Sequence, residues 1–260
     1  MTLTRREFLK WGSTAVVLLA VSERVTAGVV TIPVLMYHDV SYQTRELETV
    51  SPPDFAAQME WLYSAGYRAV SFDQLPTLDE EIARRVVLIT FDDGYASFMD
   101  IAGPLLREYG FHATINIVGK HVGGFVSGQD PRLSWDECRM LVTGGLVEIG
   151  CHSYGLHRWY GNIPRTGAIA ALNERLAQDL MTFQEVYSKE MGRSATVLAW
   201  PYGMHDSRSI EIAKQAGFHY ILSSESGYLF RGGNHDGIPR LTITKDTDLR
   251  QFREIIEARR

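Results

Sequence analysis

Cysteine is almost absent from this 260-residue chain, which carries only Cys138 and Cys151. Two thiols cannot staple a fold of this length, so a disulfide framework is excluded and the chain must bury a hydrophobic core of its own. Neither sign of charge dominates: 26 basic side chains stand against 31 acidic ones, a formal net charge of −5. Without a basic excess there is no electrostatic footprint for nucleic acid, which is not an expected partner. Internal repeats are missing, as is any Ser/Gly/Pro-rich linker that would split the chain. The uncharged stretch from Trp11 to Ser22 falls short of the roughly 20 apolar residues that span a bilayer, so no stable transmembrane anchor is expected.

What the first residues do contain is an export pattern. Thr4-Arg5-Arg6-Glu7-Phe8-Leu9-Lys10 matches the twin-arginine signal, the apolar stretch follows it, and Val25-Thr26-Ala27 offers a small-residue exit. Residues 1–27 are therefore read as a signal peptide cleaved after Ala27, with the twin-arginine export machinery as a partner during targeting. Residues 28–260 are read as one catalytic domain, located in the periplasm, the cell envelope or the medium. No cysteine stands where a lipid anchor would need it.

Strand-like runs at 32–37, 86–91, 113–118, 147–152, 196–200, 219–222 and 239–244 alternate with helical patterns at Pro53 to Ala65, Ser97 to Tyr109, Ser134 to Thr143, Ile169 to Glu190 and Ser207 to Gln215. Gly66, Gly110, Gly144, Gly192 and Gly217 are placed as helix stops. Such alternation predicts an α/β fold with a parallel sheet, and chemistry-bearing residues at several strand ends suit a barrel.

The chemistry gathers at two of those ends. Val87-Leu88-Ile89-Thr90-Phe91 runs into Asp92-Asp93-Gly94-Tyr95, and Val147 to Cys151 runs into His152-Ser153-Tyr154-Gly155-Leu156-His157. Adjacent carboxylates repel, and a cation beside them relieves the cost of keeping both ionised. One carboxylate and two imidazoles can hold a divalent ion while the other carboxylate takes a proton from an attacking water. The competing reading is a strand with an ordinary Asp-Gly turn and histidines at the surface. Three candidate donors at two strand ends favour the site.

These segments resemble the first two motifs of the polysaccharide deacetylase family, also called carbohydrate esterase family 4 or the NodB homology domain. Trp200-Pro201-Tyr202-Gly203 resembles its third motif. The resemblance covers most of the chain after residue 30 and implies a distorted, incomplete (β/α) barrel that hydrolyses N-acetyl groups on a glycan. It implies Asp92 as the catalytic base and Asp93, His152 and His157 as ligands of one divalent ion. Zn²⁺ suits those donors, and Co²⁺, Ni²⁺ and Fe²⁺ accept them too. It also assigns the backbone N–H of Tyr202 to the developing oxyanion. Trp200, Pro201, Tyr202 and Tyr95 are candidates for substrate binding. The aromatics near the motifs, Tyr95, Tyr154, Trp159, Trp200 and Tyr202, could stack on sugar faces, with core packing at least equally open to each.

Three departures from the family pattern matter. The second motif has three residues between Ser153 and His157, where two are usual, so the loop must absorb one more. Ala199 stands where an arginine usually orients the base, so something else must hold Asp92. No histidine falls near Ile238-Pro239-Arg240-Leu241-Thr242, where a late proton donor is usual. His38 is the candidate replacement: Ile32 to Val40 resembles the opening of the subgroup that deacetylates poly-β-1,6-N-acetylglucosamine, which shares the lengthened second motif. His38 could equally line the site or hydrogen-bond the substrate. A peptidoglycan or chitooligosaccharide deacetylase would use the same site, and a non-catalytic glycan-binding protein is the alternative that Ala199 and the missing late histidine support. Cys138 and Cys151 could meet between strand and helix, as a bridge or as two buried small residues. His112, His121, His205, His219 and His235 are read as structural or surface residues.

Overall fold

The computed structural model describes residues 30–43, 46–126, 131–161 and 169–258. The expected export signal at 1–27 lies outside the described residues. The main sheet is built from β1 (Val34–Tyr37), β2 (Val86–Asp93), β3 (Ala113–Ile117), β4 (Val147–Cys151), β5 (Val197–Ala199), β6 (Tyr220–Leu222), β7 (Asp236–Ile238) and β8 (Leu241–Thr242). Their order across the sheet is β7-β6-β5-β4-β3-β2-β1-β8, all parallel, with the short strand Arg68–Ala69 added beside the start of β2.

β7 and β8 lie at opposite ends of that order, yet only Pro239 and Arg240 separate them in the chain. Three residue steps reach about 10 Å, so the sheet must curl until both edges meet the one segment 236–242. The result is a distorted barrel whose edge strands β7 and β8 are not paired with each other, and so an incomplete one, as the family resemblance implies. The strand expected at 239–244 is broken into two pieces. Pro239 has no N–H for a ladder, and the segment changes partners there. Ser223 N–H donates to Ile238 O on one side (2.8 Å), and Ile243 N–H donates to Met36 O on the other (3.0 Å).

Strand alternation sorts the side chains. Val34, Leu88, Val197, Ala199, Leu222 and Ile238 turn inward into one apolar cluster, while Leu35, Ile89, Phe91, Ile115, Leu198 and Ile221 turn outward into the larger core beneath the helices. The same period sends Asp92, Asn116, Gly150 and His152 inward. Cys138 and Cys151 are both buried and unbridged.

Helices form close to the expected places, at Pro52–Ser64, Trp135–Thr143, Ile169–Met191 and Ser207–Gln215. The helix expected from Ser97 to Tyr109 is instead Ser97–Asp100 and Ala102–Glu108. Pro104 cannot donate to the carbonyl of Asp100 and sits in the first turn of the second piece, where no such donor is needed. At the end of Trp135–Thr143 the left-handed residue is Gly145 (φ 81°), with Gly144 still right-handed. A further helix, Leu249–Glu257, was not expected, although Asp248 and Gln251 form a capping box at its start. Among the described residues no helix is long and apolar enough to cross a membrane.

One polar group in the sheet sits far from the motifs. Glu148 accepts from the Thr114 and Thr196 hydroxyls on the neighbouring chain segments (3.3 and 3.1 Å). Burial, then the charge of Asp73, pushes its carboxyl up from 4.5 to about 7. A carboxyl raised in the folded state contributes stability that is present below its unfolded value and lost as pH climbs through about 7. Thermal melts of the wild type should therefore lose on the order of 2–3 kcal/mol between pH 4.5 and 7.5 from this group. Glu148→Gln, which keeps an acceptor for either hydroxyl, should lack that loss. Parallel pH profiles in the two proteins would exclude it.

Candidate metal centre

The rows of the sheet set the site. Asp92 lies beside Asn116, and Asn116 beside Gly150, on β2, β3 and β4. A Cβ at Gly150 would overlap the Asn116 carboxamide oxygen, so glycine there gives Asn116 its room. Asn116 Nδ2 donates to Asp92 Oδ1 (2.8 Å). From the far end of the chain, Arg240 closes on the same carboxylate with two hydrogen bonds, Nη1 to Oδ1 (2.9 Å) and Nη2 to Oδ2 (2.7 Å). Arg240 is itself fixed by Ser223 O (2.8 Å) and Thr90 Oγ1 (3.1 Å).

Arg240 and Asp92 are 1% and 2% exposed. Burial is the largest single influence and would raise the Asp92 carboxyl, but the charge and hydrogen bonds of Arg240, joined by His152 and His38, together outweigh it and hold the group well below the usual carboxylate range. Asp92 is thus ionised at neutral pH. Oδ1 accepts two hydrogen bonds and Oδ2 one, so Oδ2 keeps the lone pair that can take a proton. The residue that holds Asp92 in place of the missing arginine at position 199 is Arg240.

Asp93 goes a different way. It and Gly94 both take left-handed backbones (φ 70° and 68°), and the turn swings the Asp93 carboxylate to within 3.2 Å of His157 Nε2 and 3.8 Å of His152 Nε2. One donor atom from each of the three residues lies within 4.8 Å of the others, the only such His/Cys/Asp/Glu group among the described residues. His152 Nδ1 faces Ala199 O at 2.8 Å, so Nδ1 carries the proton and Nε2 is left free as a ligand. Burial, then the neighbouring His152, lowers the His157 imidazole to about 4, which keeps it neutral. Burial opposes ionisation of Asp93, and positive charge beside it, on His152, His157 and His38 when they are protonated and on Arg132, lowers its carboxyl; with both imidazoles neutral a bound cation would take over that part. A carboxylate with two neutral imidazoles whose Nε2 atoms converge fits one divalent ion of the zinc type.

A cavity of about 660 Å³ opens over this centre. His38 lines it, one step beyond the Tyr37–Phe91 pair and so level with Asp92. The His38 Nδ1 is buried without a hydrogen-bond partner among the described residues. Tyr202 (φ 56°) follows buried Pro201 at the cavity wall, its ring 5.2 Å from that of His157 and half exposed. Tyr95 also faces the cavity, stacked 3.6 Å from the Arg132 guanidinium. Trp200 also lines the cavity, but it is 1% exposed and its ring lies parallel to that of His205, so it forms part of the wall. Tyr154 likewise packs against the core, while Trp159 is half exposed. His121, read as structural or surface, is another lining residue.

Sequence reasoning missed Arg240 and Asn116. The arginine stood in the very segment searched for a histidine, and Asn116 occupied an inward position of a strand to which no motif had been assigned.

Removing the cation from a buried pair leaves an uncompensated carboxylate, at a cost of about 3–5 kcal/mol. Arg240→Met should lose stability of that order in urea titrations at pH 7. The wild-type carboxyl, held well below its usual range, stays ionised down to pH 4, whereas burial without Arg240 raises the carboxyl of the variant so that it takes up a proton over that range; the gap between wild type and variant should therefore narrow toward pH 4. A gap that stays constant over that range would contradict the pairing.

A family model described as polysaccharide deacetylase matches residues 79–221. A poly-beta-1,6-N-acetyl-D-glucosamine N-deacetylase of Escherichia coli (strain K12) is 25% identical over 76% of the chain, which spans only 34% of that protein. The protein of the same name from Staphylococcus aureus (strain MSSA476) is 26% identical, covering 76% of the chain and 69% of its own length. Among solved structures, IcaB from Ammonifex degensii superposes with a TM-score of 0.75 over 88% of the chain and 97% of IcaB, at 23% identity.

Proposed function

Since the chain belongs to the polysaccharide deacetylase family and is a hydrolase, we propose that it removes N-acetyl groups, in a metal-dependent reaction, from a polymer of β-1,6-linked N-acetylglucosamine, releasing acetate. The observation that carries this reading is an ionised carboxylate, Asp92, beside the convergent donors of Asp93, His152 and His157 in one open cavity. The names of the Escherichia coli and Staphylococcus aureus relatives support the choice of polymer. The non-catalytic alternative loses one of its two supports, because Arg240 supplies the guanidinium that position 199 lacks.

A divalent ion held by Asp93, His152 and His157 supplies Lewis acidity toward the acetamide carbonyl and toward water. Asp92 Oδ2 accepts the proton of the attacking water, and Asn116 and Arg240 hold that carboxylate in place as it does so. The N–H of Tyr202 donates to the oxyanion that forms as the carbonyl carbon becomes tetrahedral. The C–N bond then breaks, acetate leaves, and the nitrogen departs as an amine only if it is protonated. His38, level with Asp92, gives that proton. We place the reaction outside the cytoplasm, on the twin-arginine pattern of residues 4–10, and expect an N-acetylated glycan as the main partner.

Acetate release from a panel of N-acetylated glycans, with and without chelator, tests the reading. Poly-β-1,6-N-acetylglucosamine should be the best substrate, and chelation should abolish turnover that Zn²⁺ restores. Preference for peptidoglycan or chitooligosaccharide would refute the polymer, and chelator-insensitive turnover would refute the metal. Asp92→Asn should cut turnover by about 10³-fold or more while metal content stays at wild-type levels. His38→Ala should lower kcat far more than it raises KM; a change confined to KM would make His38 a binding residue.

A further inference from the structure

The lengthened second motif needs an anchor, and the fold provides one that the motif itself does not contain. Asp179 lies on the long helix Ile169–Met191, across the loop from β4. Its two carboxylate oxygens are divided between consecutive backbone amides of the loop: Tyr154 N–H donates to Oδ2 (2.7 Å) and Gly155 N–H to Oδ1 (2.8 Å). The other side of the loop is tied to β3's exit, where Gly119 N–H donates to Ser153 O (3.0 Å) and Lys120 N–H to Tyr154 O (2.8 Å). His152 needs no such help, because its backbone N–H bonds Ile117 O (2.8 Å) and its ring bonds Ala199 O. His157 is different. Nothing in β4 fixes its distance from His152, and the residues that do so, 153–156, are those that carry the insertion.

We infer that Asp179 is the positioning residue for the metal ligand His157: its carboxylate clamps the amides of Tyr154 and Gly155 and so sets the separation of His157 from Asp93 and His152. The assignment rests on the metal-centre reading proposed above. Charge-assisted bonds to two adjacent amides fix both position and direction of a loop, which single neutral bonds do less well. Groups that orient a ligand in this way typically carry 10–100-fold in metal affinity.

The test uses the full chain freed of metal by chelation. Zn²⁺ affinity is measured by competition with a chromophoric chelator for wild type, Asp179→Asn, Asp179→Ala and the ligand control Asp93→Asn, with circular dichroism to confirm folding. The expected result is binding weakened at least tenfold in a folded Asp179→Asn protein, together with an altered visible spectrum when Co²⁺ is loaded, since a displaced imidazole changes the ligand field. A purely structural role would lower the melting temperature and leave the affinity and the Co²⁺ spectrum of the folded protein alone. Wild-type affinity and spectrum in Asp179→Asn or Asp179→Ala would overturn the proposal. Should neither variant fold, amide hydrogen exchange in metal-free wild type decides: the amides of Tyr154 and Gly155 should be protected, and free exchange would equally overturn it. Failure of the wild type to bind Zn²⁺ at all is a separate result, which sinks the metal-centre reading itself and Asp179's role with it.

Discussion

The buried pair between Arg240 and Asp92 is the constraint on which the rest of this architecture depends. Two ions taken out of water lose solvation worth several kcal/mol each, and only close, fully bonded geometry recovers it. That geometry is available because Arg240 sits where one extended segment joins both edges of the sheet. The contact that closes the barrel is therefore the contact that sets the charge of the base. A shift of the 236–242 segment would open the sheet and misplace Asp92 together.

The two neighbouring aspartates illustrate how environment divides labour between like groups. Asp92 is surrounded by donors, Asn116 and Arg240, and stays ionised with a single lone pair to offer. Asp93 meets two imidazoles, and one of them, His152, turns its proton away to Ala199 O and leaves Nε2 bare on the side of Asp93. Chemical identity is the same at both positions, and partners on four other strands and loops make one a base and the other a ligand.

Much of this was legible in the sequence where the causes are local. Strand ends bearing Asp92, Asp93 and His152 stand out because an apolar run stops on a charged or titratable residue, and the helices end close to glycines for backbone reasons. Arg240, Asn116 and Asp179 were not legible. Each acts on a residue at least 24 positions away, and the pairing depends on strand order and helix placement, which no periodicity encodes. The break at Ile101 could have been read from Pro104, and Leu249–Glu257 from its capping box with Phe252 and Ile256 on one face. The resemblance to known motifs filled part of the gap, but it named an arginine position that this chain leaves empty.

The left-handed backbone at Asp93 follows from the same strand geometry. Its partner in the next strand is Ile117, whose own partner is Cys151, and both of those point outward into the core beneath the helices. Regular alternation would send the Asp93 carboxylate there too, away from Asp92 and into an apolar layer where it could not be ionised. A positive φ breaks the alternation and returns it to the cavity, at a cost that aspartate bears more readily than most residues. Gly94 must then continue the turn, and a side chain there would collide with Ile117. Ser153 and Tyr202, the remaining non-glycine residues with positive φ among those described, follow His152 and Pro201 at two more strand ends. Local strain of this kind is of order 1–3 kcal/mol per residue, and at Asp93 it is what lets two successive carboxylates face one cavity.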